Sequence, residues 1–408
     1  MTTDMSKPLD GVRVVDLTYY VAGPGTAKIL ADWGAEVVKI EPPGGEPGRT
    51  TGLNLGVPSE DRFNPYFGTY NSNKRDVILD LKAPEGQAVM DKLLARADVF
   101  VTSFRPGALK RLGLDYETLS ARFPRLVWAS INGFGEKGPD KDRPGFDTVA
   151  YWARSGAMLD LTEKDTAPLI PTLAFGDANT SGSLAGGIAA ALYRREKTGK
   201  GTKVMVSLFA QALWNLASIV VSSQFGDAYP KSRVTPNVPM VNSYQTKEGK
   251  WLFVTVFDER LYPVFLEKVV GSRELAGDPR YNEPVAARAH SRELTAIVAA
   301  EFARNTQEEM IRRLVEADIA HEKVNHVLDI LKDPQAVENH YILEVPQKDG
   351  RTTLMAQPPV KMDTTETDFR YGTPAPGEHT RQVLEELGYS AEEIRSMAEA
   401  RAVQLYED

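Results

Sequence analysis

The chain has 408 residues, of which 42% are hydrophobic and 25% charged, and its formal net charge is −8. This length accommodates about two or three domains, and an acidic chain lacks the basic surplus that neutralises nucleic-acid phosphates. Cysteine is absent, which excludes disulfides, thiolate nucleophiles, zinc–thiolate sites and iron–sulfur clusters. We therefore expect a globular protein without a nucleic-acid partner, while a local basic pocket for a small anion stays open.

The N-terminal segment is polar and lacks the apolar core of a signal peptide. Nowhere does an apolar run reach the roughly 20 residues that a membrane-spanning helix needs. These features predict a cytoplasmic protein with no membrane partner.

The first third of the chain alternates short apolar runs with helical patterns. Strands are predicted at residues 11–17, 36–40, 76–81, 98–102 and 126–131, and helices at 25–33, 85–97 and 108–112. Strands separated by helices of this length are typical of βαβ units and a parallel sheet. The predicted fold class is α/β, with a Rossmann-like parallel sheet whose ligands bind beyond the carboxyl ends of the strands.

The pattern changes after Ser207, and this predicts a second, smaller α+β domain. One long apolar helix is predicted at 208–224, one arm of a hairpin at 249–256, and further helices at 262–270 and 291–316. We assign residues 1–205 and 330–408 to the large domain, 225–325 to the small domain, and 206–224 and 326–329 to linkers.

Asp177 is the most informative single residue. It lies in the segment 172–182 (TLAFGDANTSG), which leads into a small-residue helix predicted at 183–192. A carboxylate among such small neighbours is accessible, and amides near a helix start stabilise negative charge. Two interpretations stay open: Asp177 is a covalent nucleophile, or it is an ordinary helix N-cap.

The other sequence motifs give weaker indications of function. Residues 133–138 (GFGEKG) match the dinucleotide pattern G-x-G-x-x-G, but the prolines and charges of residues 139–144 predict a loop instead of the helix that the pattern requires. The five histidines lack metal-binding spacing, so no metal site is predicted. The sequence contains neither a G-x-S-x-G elbow nor a Walker motif.

Basic residues cluster near the predicted strand ends. They are either solvated loop charges or a cationic rim for a phosphorylated ligand, and they are Lys74, Arg75, Lys82, Arg105 and Arg111.

Several linked motifs resemble the class III CoA-transferases, also called the CaiB/BaiF family, which includes formyl-CoA transferase and the carnitine and bile-acid CoA-transferases. The resemblance runs from about residue 8 to residue 387 and depends on the order and spacing of the motifs. The similar segments are 8–18, 22–24, 32–41, 73–75, 104–113, 133–135, 197–201 and 377–380.

The resemblance implies a role for Asp177, because the nucleophilic aspartate of the family falls on this position. Its carboxylate would attack an acyl-CoA thioester and form first a mixed anhydride and then an aspartyl-CoA thioester. No permanently bound cofactor and no metal are implied, and coenzyme A enters as part of the substrate. The resemblance also implies a homodimer in which two ring-like protomers interlock.

The CoA contacts of the family can be carried over where the motifs align. They fall on Val21, Ala22, the stretch from Leu79 to Lys82, Ser103, Phe104, Arg105, Arg111, Phe146 and Asp147. Two departures argue against formyl and oxalate as substrates. A glutamine that covers the site in formyl-CoA transferase aligns with Val21, and the glycine-only lid loop of that enzyme has no counterpart.

Residues 133–142, 144–147 and 150–156 look most like the 2-hydroxy-acid CoA-transferases, which include the phenyllactate and 2-hydroxyisocaproate enzymes. Three aromatic residues, Phe146, Tyr151 and Trp152, either line an apolar acyl pocket or belong to the core. A related racemase uses a histidine that would fall near Phe146, and phenylalanine cannot transfer a proton.

The expected function is transfer of CoA between an acyl-CoA and a free carboxylic acid, of the 2-hydroxy or aryl or branched type. The alternatives are an acyl-CoA racemase or epimerase, a transferase for carnitine-, oxalate- or succinate-type acids, and a non-catalytic acyl-CoA-binding homologue. The expected partners are small molecules and a second copy of the chain.

Overall fold

The computed structural model describes residues 7–363 and 369–406. The described residues divide into two units, the first formed by residues 7–157, 171–218, 334–363 and 369–406, and the second by residues 158–170 and 219–333. Residues 158–170, predicted from the sequence to belong to the large domain, group with the second unit by their contacts.

The first unit alternates strands and helices along most of its length. Its strands are β1 (Arg13–Leu17), β2 (Glu36–Glu41), β3 (Arg75–Leu79), β4 (Val99–Thr102), β5 (Val127–Asn132), β6 (Lys203–Ser207), β10 (Ile342–Pro346), β11 (Thr352–Ala356) and β12 (Val403–Gln404). Its helices are α1 (Ala22–Asp32), α2 (Pro65–Asn71), α3 (Pro84–Arg96), α4 (Pro106–Leu112), α5 (Tyr116–Arg122), α7 (Phe175–Thr198), α8 (Leu208–Asn215), α16 (Pro334–Glu338), α17 (Thr380–Glu386) and α18 (Ala391–Glu399). The chain passes between the units four times, within α6 (Ala157–Asp160), after residue 170, within α9 (Ala217–Ser222) and after residue 333.

Seven strands form one sheet in the order β12-β3-β2-β1-β4-β5-β6. All neighbours pair in parallel except β12, which pairs antiparallel with β3. Successive residues of a strand point to opposite faces of a sheet, so Val14 packs into one core and Val15 into the other. Because both faces are covered, the strands read as continuous apolar runs. The predicted parallel α/β sheet is confirmed.

The strand order reverses direction at β1 and β4, and this reversal leaves a crevice at their carboxyl ends. Strand β1 lies between β2 and β4, so the connections after β1 and after β4 leave on opposite sides of the sheet. Ligands of open α/β sheets bind beyond the carboxyl ends of the strands at this point of reversal.

The second unit has its own core and a small antiparallel sheet in the order β7-β8-β9. Its strands are β7 (Val241–Gln245), β8 (Trp251–Thr255) and β9 (Ala320–Lys323). Its helices are α10 (Leu261–Val264), α11 (Arg273–Gly277), α12 (Pro284–Ala289), α13 (Ser291–Arg304), α14 (Gln307–Glu316) and α15 (Val327–Ile330).

Two helices predicted as single elements are interrupted. The segment 208–224 forms α8, α9 and a 3-10 turn at Ser223–Phe225, and the chain departs from helical geometry at Leu216 (φ −94°, ψ 13°). The segment 291–316 breaks between α13 and α14 because the Thr306 side chain accepts a hydrogen bond from the Glu309 amide and starts a new helix.

Helix α7 begins eight residues before the predicted helix at 183–192. Asp177 is therefore the third residue of this helix and not a residue that precedes it. Among residues 7–363 and 369–406, no helix is long and apolar enough to cross a membrane.

Candidate active site

A cavity of about 420 Å³ opens at the point where the strand order reverses. Its walls follow the carboxyl ends of β1, β4 and β5, with further residues from the loop after β5, the start of α7 and the start of α8. The lining residues are Tyr19 to Gly23, Ser103 to Pro106, Ala108, Ile131 to Gly133, Lys141 to Asp147, Asp177 and Leu208.

The segments after β1 and β4 are tied together. The Tyr19 amide donates to Ser103 Oγ at 3.0 Å, and the Ser103 amide donates to the Leu17 carbonyl at 3.4 Å. The rings of Tyr19 and Phe104 lie with their centroids 4.8 Å apart. These contacts fix one aromatic wall of the cavity.

Tyr20 occupies an unusual backbone conformation. Its φ is 66°, in the left-handed region that bulky residues rarely adopt. The Tyr20 amide donates to Glu46 Oε2 at 2.9 Å, and the buried Lys39 Nζ lies 3.0 Å from Glu46 Oε1. The Tyr20 ring meets the ring of Phe146 edge-on, with centroids 5.5 Å apart. A buried ion pair thus holds an exposed aromatic side chain at the cavity.

A second buried ion pair supports the start of α1. Lys74 Nζ lies 2.8 Å from Asp16 Oδ2 and also donates to the Pro24 carbonyl (2.8 Å) and to Asn71 Oδ1 (2.9 Å). Burial lowers the pKa of Lys74 to about 8, although the charge of Asp16 opposes this change. Lys74 is therefore a structural cation beneath the cavity and does not belong to the predicted cationic rim.

Helix α7 starts at a sharp turn. Ala174, just before the helix, has φ 67°, and no side chain caps the helix start. Gly176 is required by its surroundings, since a Cβ there would lie 2.2 Å from Asp147 Oδ1 and 2.3 Å from Cγ of Tyr151. Ser181 Oγ donates to the Ala22 carbonyl at 2.8 Å and so anchors α7 to α1. Asp177 is held at the cavity by these contacts.

The Asp177 carboxylate is half-buried and faces the cavity. Within the described parts of the chain, its oxygens form no hydrogen bond or ion pair. Burial, followed by the nearby charge of Asp147, raises the pKa of Asp177 from 3.8 to about 7. The N-cap interpretation of Asp177 is wrong, because the cap position belongs to Ala174.

Asp147 is the second carboxylate of the site. Its side chain is buried, at 6% exposure. Burial raises the pKa of Asp147 to about 6, and the amides of Gly176 and Asp177 partly offset this rise. Two carboxyl groups with raised pKa values thus lie together, a pattern found at functional sites.

Tyrosines near this pair were not singled out from the sequence. Burial, and secondarily nearby charges that include Asp177 and Asp147, raise the pKa of both Tyr66 and Tyr70. The two residues lie on α2, one turn apart. Tyr19 and Tyr20 were missed as well, although their position directly after a predicted strand could have indicated them.

The structure brings together most of the predicted CoA contacts but not all of them. Those that line the cavity with Asp177 are Val21, Ala22, Ser103, Phe104, Arg105, Phe146 and Asp147. The Leu79 side chain is in the core at 1% exposure, and Lys82 and Arg111 are absent from the described lining. Tyr151 and Trp152 are buried and do not line the cavity, which favours their interpretation as core residues.

The described residues contain no group of three or more histidine, aspartate or glutamate side chains arranged to hold a metal ion. The cavity does carry cationic side chains, since Arg105, Lys141 and Arg143 line it.

Comparison with known proteins places this site in a family. The sequence model of CoA-transferase family III matches residues 9–380. The chain is 38% identical to (R)-2-hydroxy-4-methylpentanoate CoA-transferase of Clostridioides difficile, over 97% of this chain and 99% of the relative. It is 36% identical to cinnamoyl-CoA:phenyllactate CoA-transferase of Clostridium sporogenes, over 95% of each chain.

Solved structures of the same fold support this family assignment. A CAIB/BAIF family protein from Brucella suis superposes with a TM-score of 0.79 at 30% identity, covering 94% of this chain and 100% of the other. Rv3272 from M. tuberculosis gives 0.81 at 28% identity, covering 93% and 99%. The chain therefore belongs to CoA-transferase family III and is a CoA-transferase.

Proposed function

We propose that the protein moves CoA from an acyl-CoA to a free 2-hydroxy, aryl or branched carboxylic acid, with Asp177 as the covalent nucleophile. The observation that carries this proposal is the Asp177 carboxylate, which faces a cavity of about 420 Å³ without a partner in the described parts of the chain. A carboxylate without hydrogen bonds or a counter-ion is a stronger nucleophile than a solvated one.

The reaction proceeds by exchange at three carbonyl carbons, those of the donor acyl group, of Asp177 and of the acceptor acid. An Asp177 oxygen attacks the thioester carbonyl, the C–S bond breaks, and CoA thiolate leaves from a mixed anhydride. The thiolate then attacks the Asp177 carbonyl of the anhydride, which releases the first acid and leaves an aspartyl-CoA thioester. The incoming carboxylate attacks this thioester to form a second anhydride. Thiolate attack on its acyl carbon gives the new acyl-CoA and regenerates Asp177.

The walls of the cavity support an apolar acyl group. Tyr19, Tyr20, Val21, Phe104 and Phe146 supply aromatic and aliphatic surface within reach of Asp177. Burial of apolar surface favours a branched or aryl acyl chain over a small polar one such as oxalate. The relatives named for 2-hydroxy-4-methylpentanoate and phenyllactate act on acids of this kind.

The CoA part of the substrate is anionic because it carries phosphates. Arg105, Lys141 and Arg143 line the cavity and would attract the phosphates of CoA. We also propose that CoA contacts the stretch from Leu79 to Lys82 and Arg111, although these residues are outside the described lining. CoA would then extend from Arg105 along the surface.

An interlocked homodimer is also proposed. Large aromatic side chains on α7 and α8 are exposed in the single chain, namely Phe175 (52%), Tyr193 (68%) and Trp214 (76%), and a dimer interface across these helices would bury their apolar surface. Sedimentation at micromolar concentration should give twice the chain mass, and a monomer would contradict the dimer.

Isotope transfer tests the role of Asp177. When the acceptor acid carries ¹⁸O in its carboxylate, the mechanism leaves one ¹⁸O on Asp177 after a single turnover. Mass spectrometry of the peptide should show a gain of about 2 Da, localised to this residue. Asp177→Asn should lose both label and transfer while it still binds CoA. Turnover without label, or exchange of the α-proton of the substrate with D₂O, would reject the proposal.

A further inference from the structure

Asp147 is a buried acid whose carboxyl oxygens make no hydrogen bond of normal geometry within the described residues. It begins a π-helical turn at Asp147–Ala153, and both of its carboxyl oxygens are buried without a normal hydrogen bond to any described residue. The Trp152 indole Nε1 is likewise buried and unpaired within the described residues. Leaving such groups unsatisfied costs stability, so their placement calls for a functional reason.

The position of the Asp147 carboxyl supplies one. Oδ1 lies against the start of α7, at the point where a Cβ on Gly176 would be only 2.2 Å away. The amides of the first helical turn have no partners within the helix and attract anions. Those of Gly176 and Asp177 act on Asp147, and so does the Trp152 side chain. Asp147 thus occupies the place where a carboxylate from the first turn of α7 would otherwise settle.

We infer that Asp147 is a positioning residue, whose carboxyl occupies the start of α7 and thereby leaves the Asp177 carboxylate unbonded toward the cavity. This inference rests on the proposed role of Asp177. Without Asp147, the Asp177 side chain can fold back onto the amides at the start of its own helix, and such a hydrogen-bonded carboxylate is a poorer nucleophile.

Charge acts in the same direction as position. Burial is the main cause of the raised pKa of Asp177, and the charge of Asp147 raises it further. Burial, and secondarily nearby charges that include Asp147, raise the pKa of three phenols, Tyr66 and Tyr70 from α2 and Tyr151 from the π-helical turn. The charged side chains that line the same cavity are Arg105, Lys141, Asp142 and Arg143. Removal of Asp147 therefore lowers the pKa of Asp177, and the phenols carry no compensating charge at neutral pH.

The test compares Asp147→Asn with the unaltered enzyme in two measurements. Carbodiimide labels protonated carboxyl groups, so the pH at which labelling of Asp177 falls by half, measured by peptide mass spectrometry, reports the ionisation of Asp177 without turnover. This midpoint should fall by about one pH unit or more. The limiting rate of CoA transfer above pH 8 should fall by about tenfold to a hundredfold, while the KM for acyl-CoA changes little.

Asp142→Asn is the matched control, since it removes an exposed carboxylate from the rim of the same cavity and should leave the labelling midpoint of Asp177 in place. An unchanged midpoint in a folded Asp147→Asn protein would overturn the inference, even where transfer by the unaltered enzyme depends on Asp177. If Asp177 proves dispensable for transfer, the proposed function fails, and the labelling midpoint still decides the role of Asp147. Should Asp147→Asn not fold, Asp147→Ser is read in the same way.

Discussion

The ionisation of a single side chain links activity and stability in this protein. Burial and Asp147 raise the pKa of Asp177 from 3.8 to about 7. Between these two pH values, Asp177 is therefore protonated in the folded state and ionised in the unfolded state. Ionisation of Asp177 therefore lowers the free energy of unfolding as the pH rises from about 4 to about 7. The same ionisation is required for attack, so transfer should increase over the pH range in which Asp177 costs stability.

Asp177→Asn should therefore stabilise the inactive protein in a pH-dependent way. The melting temperature should rise above that of the unaltered protein at pH 8, where Asp177 is charged, and change little at pH 5, where it is neutral. Calorimetry at both pH values measures this. Asp142→Asn, an exposed carboxylate of the same cavity, should give the same small change at both. A uniform shift in Asp177→Asn would show that charge burial is not the cause.

Tyr20 offers a test of acyl selectivity at the residue scale. Its φ of 66° suits glycine better than any other residue, so Tyr20→Gly removes the ring and keeps the backbone turn. We expect kcat/KM for phenyl or branched acyl-CoA to fall by about tenfold or more relative to acetyl-CoA. A loss of this size corresponds to the loss of apolar contact with a few methylene groups. Equal losses for both substrates would assign the ring a structural role only.

At the scale of elements, helix α7 carries the site, and its start depends on one glycine. A methyl group at Gly176 would meet Asp147 and the Tyr151 ring at 2.2 and 2.3 Å, whereas Gly182 on the same helix has no atom within 4 Å of its virtual Cβ. Gly176→Ala should cost about 1–3 kcal/mol through overpacking and should abolish transfer. Gly182→Ala should stabilise the protein by about 0.5–1 kcal/mol. Chemical denaturation and transfer assays measure both, and a neutral Gly176→Ala would contradict the described packing.

The sequence indicates the elements of the sheet better than it indicates the start of α7. Strands β1 to β5 follow from apolar runs such as residues 98–102, and their common carboxyl edge follows from parallel pairing. The beginning of α7 could not be predicted, because Ala174 adopts φ 67° and no side chain caps the helix. The approach of Asp147 to Gly176 is also a tertiary contact without a local signal. Val21 and Phe104 were found only through the resemblance to the family, whereas the position of Arg105 near a predicted strand end had already indicated a cationic rim.

At the scale of the whole molecule, an acidic chain nevertheless places cationic side chains at its cavity. The net charge is −8, yet Arg105, Lys141 and Arg143 line the cavity. Attraction between these exposed cations and CoA is screened by salt, since the Debye length is about 10 Å at 0.1 M and about 3 Å at 1 M.

CoA binding should therefore weaken as ionic strength rises. Titration calorimetry from about 0.05 M to 0.5 M NaCl should show a rising Kd for the unaltered protein. The dependence should be shallower for Arg105→Ala, because one cation fewer is screened. Parallel salt slopes for the two proteins would place Arg105 outside the CoA site.

The antiparallel pairing of β12 with β3, Val403 opposite Leu79, has a consequence for biosynthesis. The outer edge of β3 gains this neighbour only after the ribosome has made the other strands of the sheet and the whole second unit. Until then the nascent polypeptide presents an open row of backbone donors and acceptors, which invites mispairing with other chains. Cells that overproduce this protein should accumulate it in inclusion bodies when termination occurs before Val403, and chaperones that shield nascent strands should improve the yield of the full polypeptide.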